Sequence, residues 1–380
     1  MSRVDETWAL VRRVERSLRV AVGMATGYSL DAAREVAVAA DRPVMVLASR
    51  RQVDCEHAGG GYVGWTTPEW CSRSGNIGDR AGLILTRDHG GPYQHPRDIQ
   101  ERADPPNAMA FAIDSLRCDI ESGVELLHID TSIGRGGTAE SAPIAVHRAL
   151  ELIAACKDIA GGAGRTVGFE LGVEVQTEAI SDPQVFASEI APLVTELRQD
   201  HGVSPIFMVA QTGTKVRGRR NSGVLQSQGP SESQDRRLCG LASVVRSLGS
   251  QLKAHNCDYL GDEAVRRLRS VGAWMNVSPE LGTAQTVTVL RAAQHNSLDG
   301  VIDSFCDAVI KAGYWRKWAD GPEEMVPDRE KVLLGGSYLF STPTFTELRE
   351  RLDRALRPQG LSTRRIAIDA AKAVVRRYTG

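Results

Sequence analysis

Thr166-Val-Gly-Phe-Glu-Leu171 is a short apolar run, Pro183–Gln199 has helical periodicity, and Pro205-Ile-Phe-Met-Val-Ala210 is a second apolar run. A run, a helix and a run in this order are typical of one β/α unit of a parallel sheet. The same alternation continues in both directions, at spacings of roughly 25–45 residues. The chain is therefore expected to consist of repeated β/α units.

The apolar runs can be counted as strands. Eight are predicted: Val20–Ala25, Val44–Ala48, Gly82–Leu85, Leu126–Ile129, Thr166–Leu171, Pro205–Ala210, Gln251–Ala254 and Ala273–Val277. The predicted helices include Asp5–Leu18, Leu30–Ala40, Asn107–Ser122, Ala142–Ile159, Pro183–Gln199, Gln234–Leu248 and Asp262–Ser270. Eight strands, each followed by a helix, predict an α/β fold, a TIM (β/α)8 barrel with a helical C-terminal extension. Neither Gly134-Arg-Gly-Gly137 nor Gly161-Gly-Ala-Gly164 has the spacing of a dinucleotide-binding turn, which disfavours an open doubly wound sheet.

The strand pattern ends near residue 295. Residues 1–295 are predicted to form the barrel, and residues 296–380 a helical extension packed on it. The extension carries an aromatic cluster of Tyr314, Trp315, Trp318, Tyr338 and Phe340. No second catalytic domain is expected there.

The composition of the 380 residues excludes several functions. Lys and Arg number 46 against 47 Asp and Glu, a net charge of −1, so general attraction to nucleic acid or to an anionic membrane is not expected. No apolar run approaches the ~20 residues that cross a bilayer, and the charged start of the chain is unlike a signal peptide. The seven cysteines are scattered, which is typical of reduced thiols. A cytoplasmic location is expected.

Polar residues at or just beyond the end of a barrel strand are free to meet a substrate. Imidazoles and carboxylates that converge there predict a divalent metal site, with zinc as the expected ion. His89 and His255 are the predicted imidazole ligands, and either Glu170 or Glu174 can supply the carboxylate. His128, inside the fourth predicted strand, is expected to be a packed core residue. The predicted substrate contacts are Gln52, Asp130, Ser132, Glu174, Gln211, Asp258 and Asn276.

The predicted site suggests a type of reaction. A metal polarises a carbonyl while a neighbouring carboxylate moves a proton, which is the chemistry of an enediolate intermediate. Asp88, adjacent to His89, is the candidate for that proton transfer. No G-x-S-x-G sequence of a serine hydrolase is present.

A cationic loop follows the sixth predicted strand, in Lys215-Val-Arg-Gly-Arg-Arg-Asn221. Guanidinium groups bind phosphate in a bidentate manner, so Arg217, Arg219 and Arg220 are candidate phosphate ligands. A solvated surface loop is an equally good interpretation.

Several motifs resemble one family over residues 20–355. Arg51-Gln-Val-Asp followed by Gly60-Gly-Tyr-Val-Gly-Trp-Thr-Thr-Pro resembles the N-Q-V and G-G-Y-x-G-M-T-P signature of the non-catalytic D-tagatose-1,6-bisphosphate aldolase subunits. Arg87-Asp-His-Gly-Gly-Pro92 is similar to their G-D-H-L-G-P, and Leu127-His-Ile-Asp-Thr-Ser132 to their I-H-L-D-A-S. Lys253-Ala-His-Asn-Cys-Asp-Tyr259 is similar to their E-A-H-S-T-D-Y, and Tyr314-Trp-Arg-Lys-Trp318 to their Y-W-x-K-Y.

The resemblance extends to the metal-dependent class II aldolases, which are TIM barrels. It implies that Asp88 transfers protons and that His89, Glu170 and His255 are metal ligands. One departure is that the class II aldolases have a ligand histidine after the sixth strand, whereas residues 211–218 contain none. A second is Arg51, where the subunit family usually has asparagine.

Two functions follow from the residues and the resemblance. The first is a metal-dependent class II aldolase-like enzyme acting on a ketose or ketose phosphate by retro-aldol and aldol chemistry, as a C–C lyase or a 4-epimerase. The alternative is a non-catalytic subunit that stabilises or activates a separate tagatose-bisphosphate aldolase subunit. A homo-oligomer is expected in either case. A sugar-phosphate kinase is disfavoured because no G-x-x-x-x-G-K-[ST] phosphate loop is present.

Overall fold

The computed structural model describes residues 3–75, 82–100, 103–172 and 177–379. Eight parallel strands close into a barrel in the order β1-β10-β9-β6-β5-β4-β3-β2, and β7 and β8 form a separate hairpin. The strands are β1 (Val20–Gly23), β2 (Val44–Ser49), β3 (Leu83–Asp88), β4 (Leu126–Asp130), β5 (Gly168–Gly172), β6 (Phe207–Val209), β7 (Val216–Arg217), β8 (Arg220–Asn221), β9 (Gln251–Ala254) and β10 (Trp274–Val277). The predicted barrel is confirmed, and each of its strands lies on a predicted apolar run.

Helices surround the barrel and form the extension. They are α1 (Arg3–Arg16), α2 (Gly27–Ala40), α3 (Thr67–Ser74), α4 (Pro96–Gln100), α5 (Pro105–Ser122), α6 (Ala142–Gly162), α7 (Pro183–Gln199), α8 (Val224–Ser227), α9 (Glu232–Ser247), α10 (Asp262–Ser270), α11 (Pro279–His295), α12 (Asp299–Ala312), α13 (Asp328–Gly335), α14 (Pro343–Leu356) and α15 (Thr363–Thr379). Within the described residues, no helix is both long and apolar enough to cross a membrane.

Local signals explain why some helix boundaries were predictable. Helix α7 begins at Pro183, whose fixed φ suits the first helical position. The Asp182 carboxylate precedes it and accepts hydrogen bonds from the backbone N–H groups of Gln184 and Val185. Such an N-cap satisfies donors that have no partner inside the helix.

The register of the parallel strands places their carboxyl ends at one rim. Ser49 lies opposite Asp88, and His128 lies opposite Glu170. The strand residues are almost all buried because a parallel barrel is covered on both faces. Polar side chains at the strand ends therefore meet at this rim, which we call the mouth.

Helix α1 closes the opposite end of the barrel. Its Leu10 and Val14 pack in one apolar cluster with Met45, Phe207 and Trp274 of the barrel strands. The guanidinium of Arg13 also donates to the carbonyl of Leu83 at 2.8 Å. The end of the barrel opposite the mouth is thereby covered.

The helical extension packs on the barrel in two ways. Helix α15 lies against α2 and α11, and its Ile368 and Ala371 belong to the same apolar cluster as the barrel strands. Helices α12 and α14 form a smaller core with α11 around Phe305 and Phe345. Between α12 and α14, the chain passes over the mouth in a 3-10 turn at Tyr314–Lys317.

Candidate functional site

An open cavity of about 980 Å³ lies at the mouth. Its floor is formed by polar residues from the ends of β3, β4 and β9, and one wall by the extension. The side chains that line it include Arg51, Gln52, Tyr62, Asp88, His89, His128, Asp130, Ser132, Gln211, Lys215, His255, Asp258, Asn276, Tyr314, Lys317, Trp318 and Tyr338.

Four of these residues can hold a metal ion. One donor atom each from Asp88, His89, His128 and His255 lies within 4.8 Å of the others. The imidazole centroids are 4.9–5.3 Å apart. Asp88 ends β3, and His89 follows it with a left-handed φ of 49°, a conformation that turns the chain sharply at the strand end. We call this group the histidine cluster.

His128 corrects the sequence prediction. It is buried, as expected, but it belongs to the histidine cluster and is not a packed core residue. Its Nδ1 accepts a hydrogen bond from the His89 backbone N–H at 3.1 Å and lies 3.4 Å from Asp88 Oδ1. The sequence did contain a signal that His128 belongs to the site. Residues two apart on a strand lie on the same face, and Asp130, two residues after His128, was already a predicted site residue.

One carboxylate oxygen of the cluster points to a cation that binds there. Within the described chain, Asp88 Oδ1 is buried and has no hydrogen-bond partner. Leaving such an atom unpaired costs about 1–3 kcal/mol, so a cation that pairs with it is favoured. Imidazole and carboxylate donors are those that zinc and similar divalent ions prefer. The donors present therefore fit a divalent metal.

Glu170 lies behind the cluster, where it contacts His255. Its Oε2 accepts a hydrogen bond from Lys253 Nζ at 2.5 Å, and its Oε1 accepts one from His255 Nε2 at 3.0 Å. Burial opposes its ionisation, but Lys253, His128 and His255 lower the pKa of Glu170 to about 2. Glu170 was predicted as a ligand, whereas its oxygens already have partners and it lies outside the four clustered donors. It orients His255 and leaves Nδ1 of that ring available.

Asp130 holds His89 in the same manner. The Asp130 carboxylate pairs with His89 Nδ1, and its Oδ1 accepts from Ser132 Oγ at 2.6 Å. Burial opposes protonation of His89, but Asp88 and Asp130 raise its pKa to about 9. Burial likewise opposes ionisation of Asp88, but the His89, His128 and His255 rings hold its pKa well below the ordinary value. Asp88 is thus a carboxylate at neutral pH.

The predicted substrate contacts have different outcomes. Gln52, Asp130, Ser132, Gln211, Asp258 and Asn276 line the cavity, and Glu174 lies outside the described residues. In Asn276, both amide atoms are buried without a partner among the described residues, so this side chain is free to bind a hydroxyl group. Gln52 instead accepts from the Ser49 backbone N–H at 2.8 Å.

The predicted arginine clamp is not assembled at the mouth. Arg217 pairs with Glu178 at 2.9 Å, Arg219 with Glu330 at 2.9 Å, and Arg220 with Asp320 at 2.5 Å. None of these three arginines is among the side chains that line the cavity, whereas Lys215 is. The β7–β8 hairpin turns them outward, toward carboxylates that sequence analysis had not paired with them.

The extension supplies site residues that sequence analysis missed. Tyr314, Lys317 and Tyr338 line the cavity. Tyr314 stacks on Tyr338 with a centroid distance of 5.0 Å, and Trp318 Nε1 donates to the Tyr338 hydroxyl at 2.7 Å. The aromatic cluster was visible in the sequence, but no local sequence pattern indicates that it lies over the mouth.

Comparison with known proteins supports the resemblance. Residues 9–179 match the family described as D-tagatose-1,6-bisphosphate aldolase subunit GatZ/KbaZ-like. This part of the chain is similar to that family. The matched region contains Asp88, His89 and His128, while His255 lies beyond it. No curated protein matches the chain.

Solved structures share the barrel at low identity. A probable tagatose 6 phosphate kinase from Sinorhizobium meliloti 1021 has a TM-score of 0.74 at 19% identity, over 95% of this chain and 98% of that one. Fructuronate-tagaturonate epimerase UxaE from Cohnella laeviribosi, in complex with two glycerols, has a TM-score of 0.54 at 12% identity, over 96% of this chain and 81% of that one. The fructose-bisphosphate aldolase of Campylobacter jejuni has a TM-score of 0.50 at 13% identity, over 96% of each chain. These similarities establish the shared fold.

Proposed function

We propose that this protein is a metal-dependent, class II aldolase-like enzyme that acts on a ketose or ketose phosphate. The observation that carries the proposal is the histidine cluster, in which four donors converge at the floor of an open cavity. The GatZ/KbaZ-like match and the aldolase and epimerase with the same fold add support. The reaction is cleavage of a C–C bond or inversion at C4 by retro-aldol and aldol steps.

The residues of the cluster have separate roles. His89, His128 and His255 would hold a divalent ion, zinc being the expected one, which supplies Lewis acidity to a substrate carbonyl when bound. Asp88 is the general base that takes the proton from the β-hydroxyl group. The C–C bond then breaks, its electron pair passes into the carbonyl group, and an aldehyde is released. In the reverse direction, Asp88 returns the proton to the new hydroxyl.

The surrounding side chains preserve the geometry for these steps. Glu170 and Asp130 fix the ring orientations of His255 and His89 through the nitrogen that faces away from the cluster, a common arrangement around metal-binding imidazoles. Asn276, whose amide has no hydrogen-bond partner among the described residues, would bind a substrate hydroxyl. If the aldehyde rotates before the bond forms again, the same residues catalyse epimerisation.

Metal analysis and an aldol assay test this function. The purified protein is expected to bind a divalent ion, at on the order of one per chain, by inductively coupled plasma mass spectrometry. His255→Ala should lose that metal and all cleavage of a panel of ketoses and ketose phosphates. His147→Ala, in α6, is the control and should retain both. A wild-type protein that cannot be loaded with any divalent ion refutes the proposal.

A second candidate is a subunit that supports a separate aldolase. The family description, which names a subunit, favours it. In that case, the metal-loaded protein is inactive alone and increases the activity or stability of a tagatose-bisphosphate aldolase subunit mixed with it. Co-purification of the two chains and an assay of each alone separate the two functions.

A further inference from the structure

Two cationic side chains line the cavity beside the histidine cluster. Arg51 belongs to the loop after β2, and Lys317 to the turn Tyr314–Lys317 of the extension. Arg51 Nε donates to the carbonyl oxygen of Gln94 at 3.2 Å, and the Lys317 ammonium lies 4.5 Å from the ring centroid of Trp318. Throughout the described ranges, neither side chain has a carboxylate within ion-pair distance.

Two other cations near the mouth are neutralised. Arg50 pairs with Asp54 and Asp98, and Lys253 pairs with Glu170, whereas Lys215 is a third cationic side chain that lines the cavity. Arg51 and Lys317 instead face the same open volume without such partners among the described residues, so their like charges repel each other there. An anion that enters the cavity would relieve this repulsion and gain charge-assisted hydrogen bonds.

The electrostatic effects agree with this geometry. The Lys317 side chain is accessible through the open mouth, yet the cavity walls surround it. Partial desolvation and then the positive charge of Arg51 lower the pKa of Lys317 to about 8, while Asp88 opposes the change. The positive charge of Lys317 in turn lowers the pKa of His89, against the larger effects of Asp88 and Asp130. The ammonium therefore lies within electrostatic range of both Arg51 and the histidine cluster.

We infer that Arg51 and Lys317 form a binding site for an acidic group of the substrate, next to the carbonyl that reacts at the histidine cluster. The inference rests on the proposed function and specifies its substrate class as a sugar with a phosphate or carboxylate group. Arg51 offers planar bidentate donors and Lys317 a mobile point charge, a pair that suits either oxyanion. The acidic group is thus recognised from inside the cavity, and the outward-facing arginines of the β7–β8 hairpin have no part in it.

The aromatic wall fixes the position of this site. Tyr62, which follows Arg51 in the same loop, packs on Tyr338 with a centroid distance of 4.2 Å. Tyr338 also accepts a hydrogen bond from Trp318, the residue after Lys317, and stacks on Tyr314, which lies in the same turn as Lys317. The loop that carries Arg51 and the turn that carries Lys317 are therefore joined through one ring, which places the two cations together before a ligand binds.

Anion binding to charge variants tests the inference. The probes are inorganic phosphate, D-gluconate and neutral D-fructose, titrated calorimetrically into the full-length protein. Arg51→Met and Lys317→Met should each weaken the binding of at least one anion on the order of 10-fold or more, because a charge-assisted hydrogen bond is lost. D-fructose binding should not change. Arg220→Met, which removes an equal charge outside the cavity, is the matched control and should bind as wild type does.

The outcomes identify the acidic group. Preference for phosphate indicates a phosphorylated sugar, and preference for gluconate indicates a sugar acid. Lys317→Arg, which keeps the charge, should retain most of the affinity and shows that a loss in Lys317→Met is not a folding defect. Wild-type protein that binds neither anion, or Met variants that bind both as well as wild type does, would overturn the inference. Metal content is measured on the same samples, so failure of the metal site is seen separately from failure of the anion site.

Discussion

The buried pair of Lys253 and Glu170 gives the sharpest prediction on stability. The side chains are 1% and 0% exposed, and their charged atoms are 2.5 Å apart. Lys253→Met keeps the apolar stem but removes the ammonium, which lies 5.1 Å from the ring centroid of Phe207. Glu170 then keeps only its hydrogen bond from His255, and its negative charge is buried without compensation. Breaking a buried ion pair in this way costs about 3–5 kcal/mol.

A double-mutant cycle separates this penalty from lost packing. Glu170→Gln in the Lys253→Met background removes the uncompensated charge, so the double variant should recover on the order of 2 kcal/mol or more of the single variant's loss. Free energies of unfolding come from urea titrations followed by tryptophan fluorescence. Without Lys253, the pKa of Glu170 rises above its unfolded value, so the single variant should lose more stability at about pH 7 than at about pH 5.

The result that refutes this reasoning is additivity. If Lys253→Met costs less than about 1 kcal/mol, or if the double variant is as unstable as the two single losses combined, the pair does not interact as described. A further readout is metal content, because Glu170 orients His255. If Lys253→Met loses metal but unfolds with the wild-type free energy, the pair serves only to position the metal site and does not stabilise the fold.

Three other predictions concern the mouth. The variant His128→Phe should keep the wild-type circular dichroism spectrum but lose most of the bound metal. Full retention of the metal would show that His128 only packs in the core. In Gly172→Ala, the added Cβ would lie 2.3 Å from His128 Nε2, so metal content should fall; Gly162→Ala, with open space around it, is the control. Burial and then the charge of Glu280 raise the pKa of Asp258 to about 8, so stability should fall as pH rises from about 4 toward 8. Asp258→Asn should flatten that fall, and an unchanged pH profile of the urea midpoint would contradict it.

The site was predictable from the sequence where its residues mark the ends of strands. Asp88, His89 and His255 follow or end apolar runs, and the chain order alone places them at one rim of a barrel. Glu170 was found for the same reason, but the sequence did not indicate that Lys253 and His255 occupy its two oxygens. The ion pairs of Arg217, Arg219 and Arg220 could not be predicted, because their carboxylate partners Glu178, Glu330 and Asp320 are distant in sequence.

The sequence by itself determined the eight strands, some of the helix starts and the polar strand ends, because periodicity, caps and turn residues act between near neighbours. Only the tertiary structure decided which of these groups meet. His128 joins the cluster because barrel closure and strand register turn its ring toward Asp88. Lys317 reaches the cavity because the extension packs back over a barrel mouth whose other residues lie far earlier in the chain. Such convergence depends on long-range packing, which local sequence patterns do not encode.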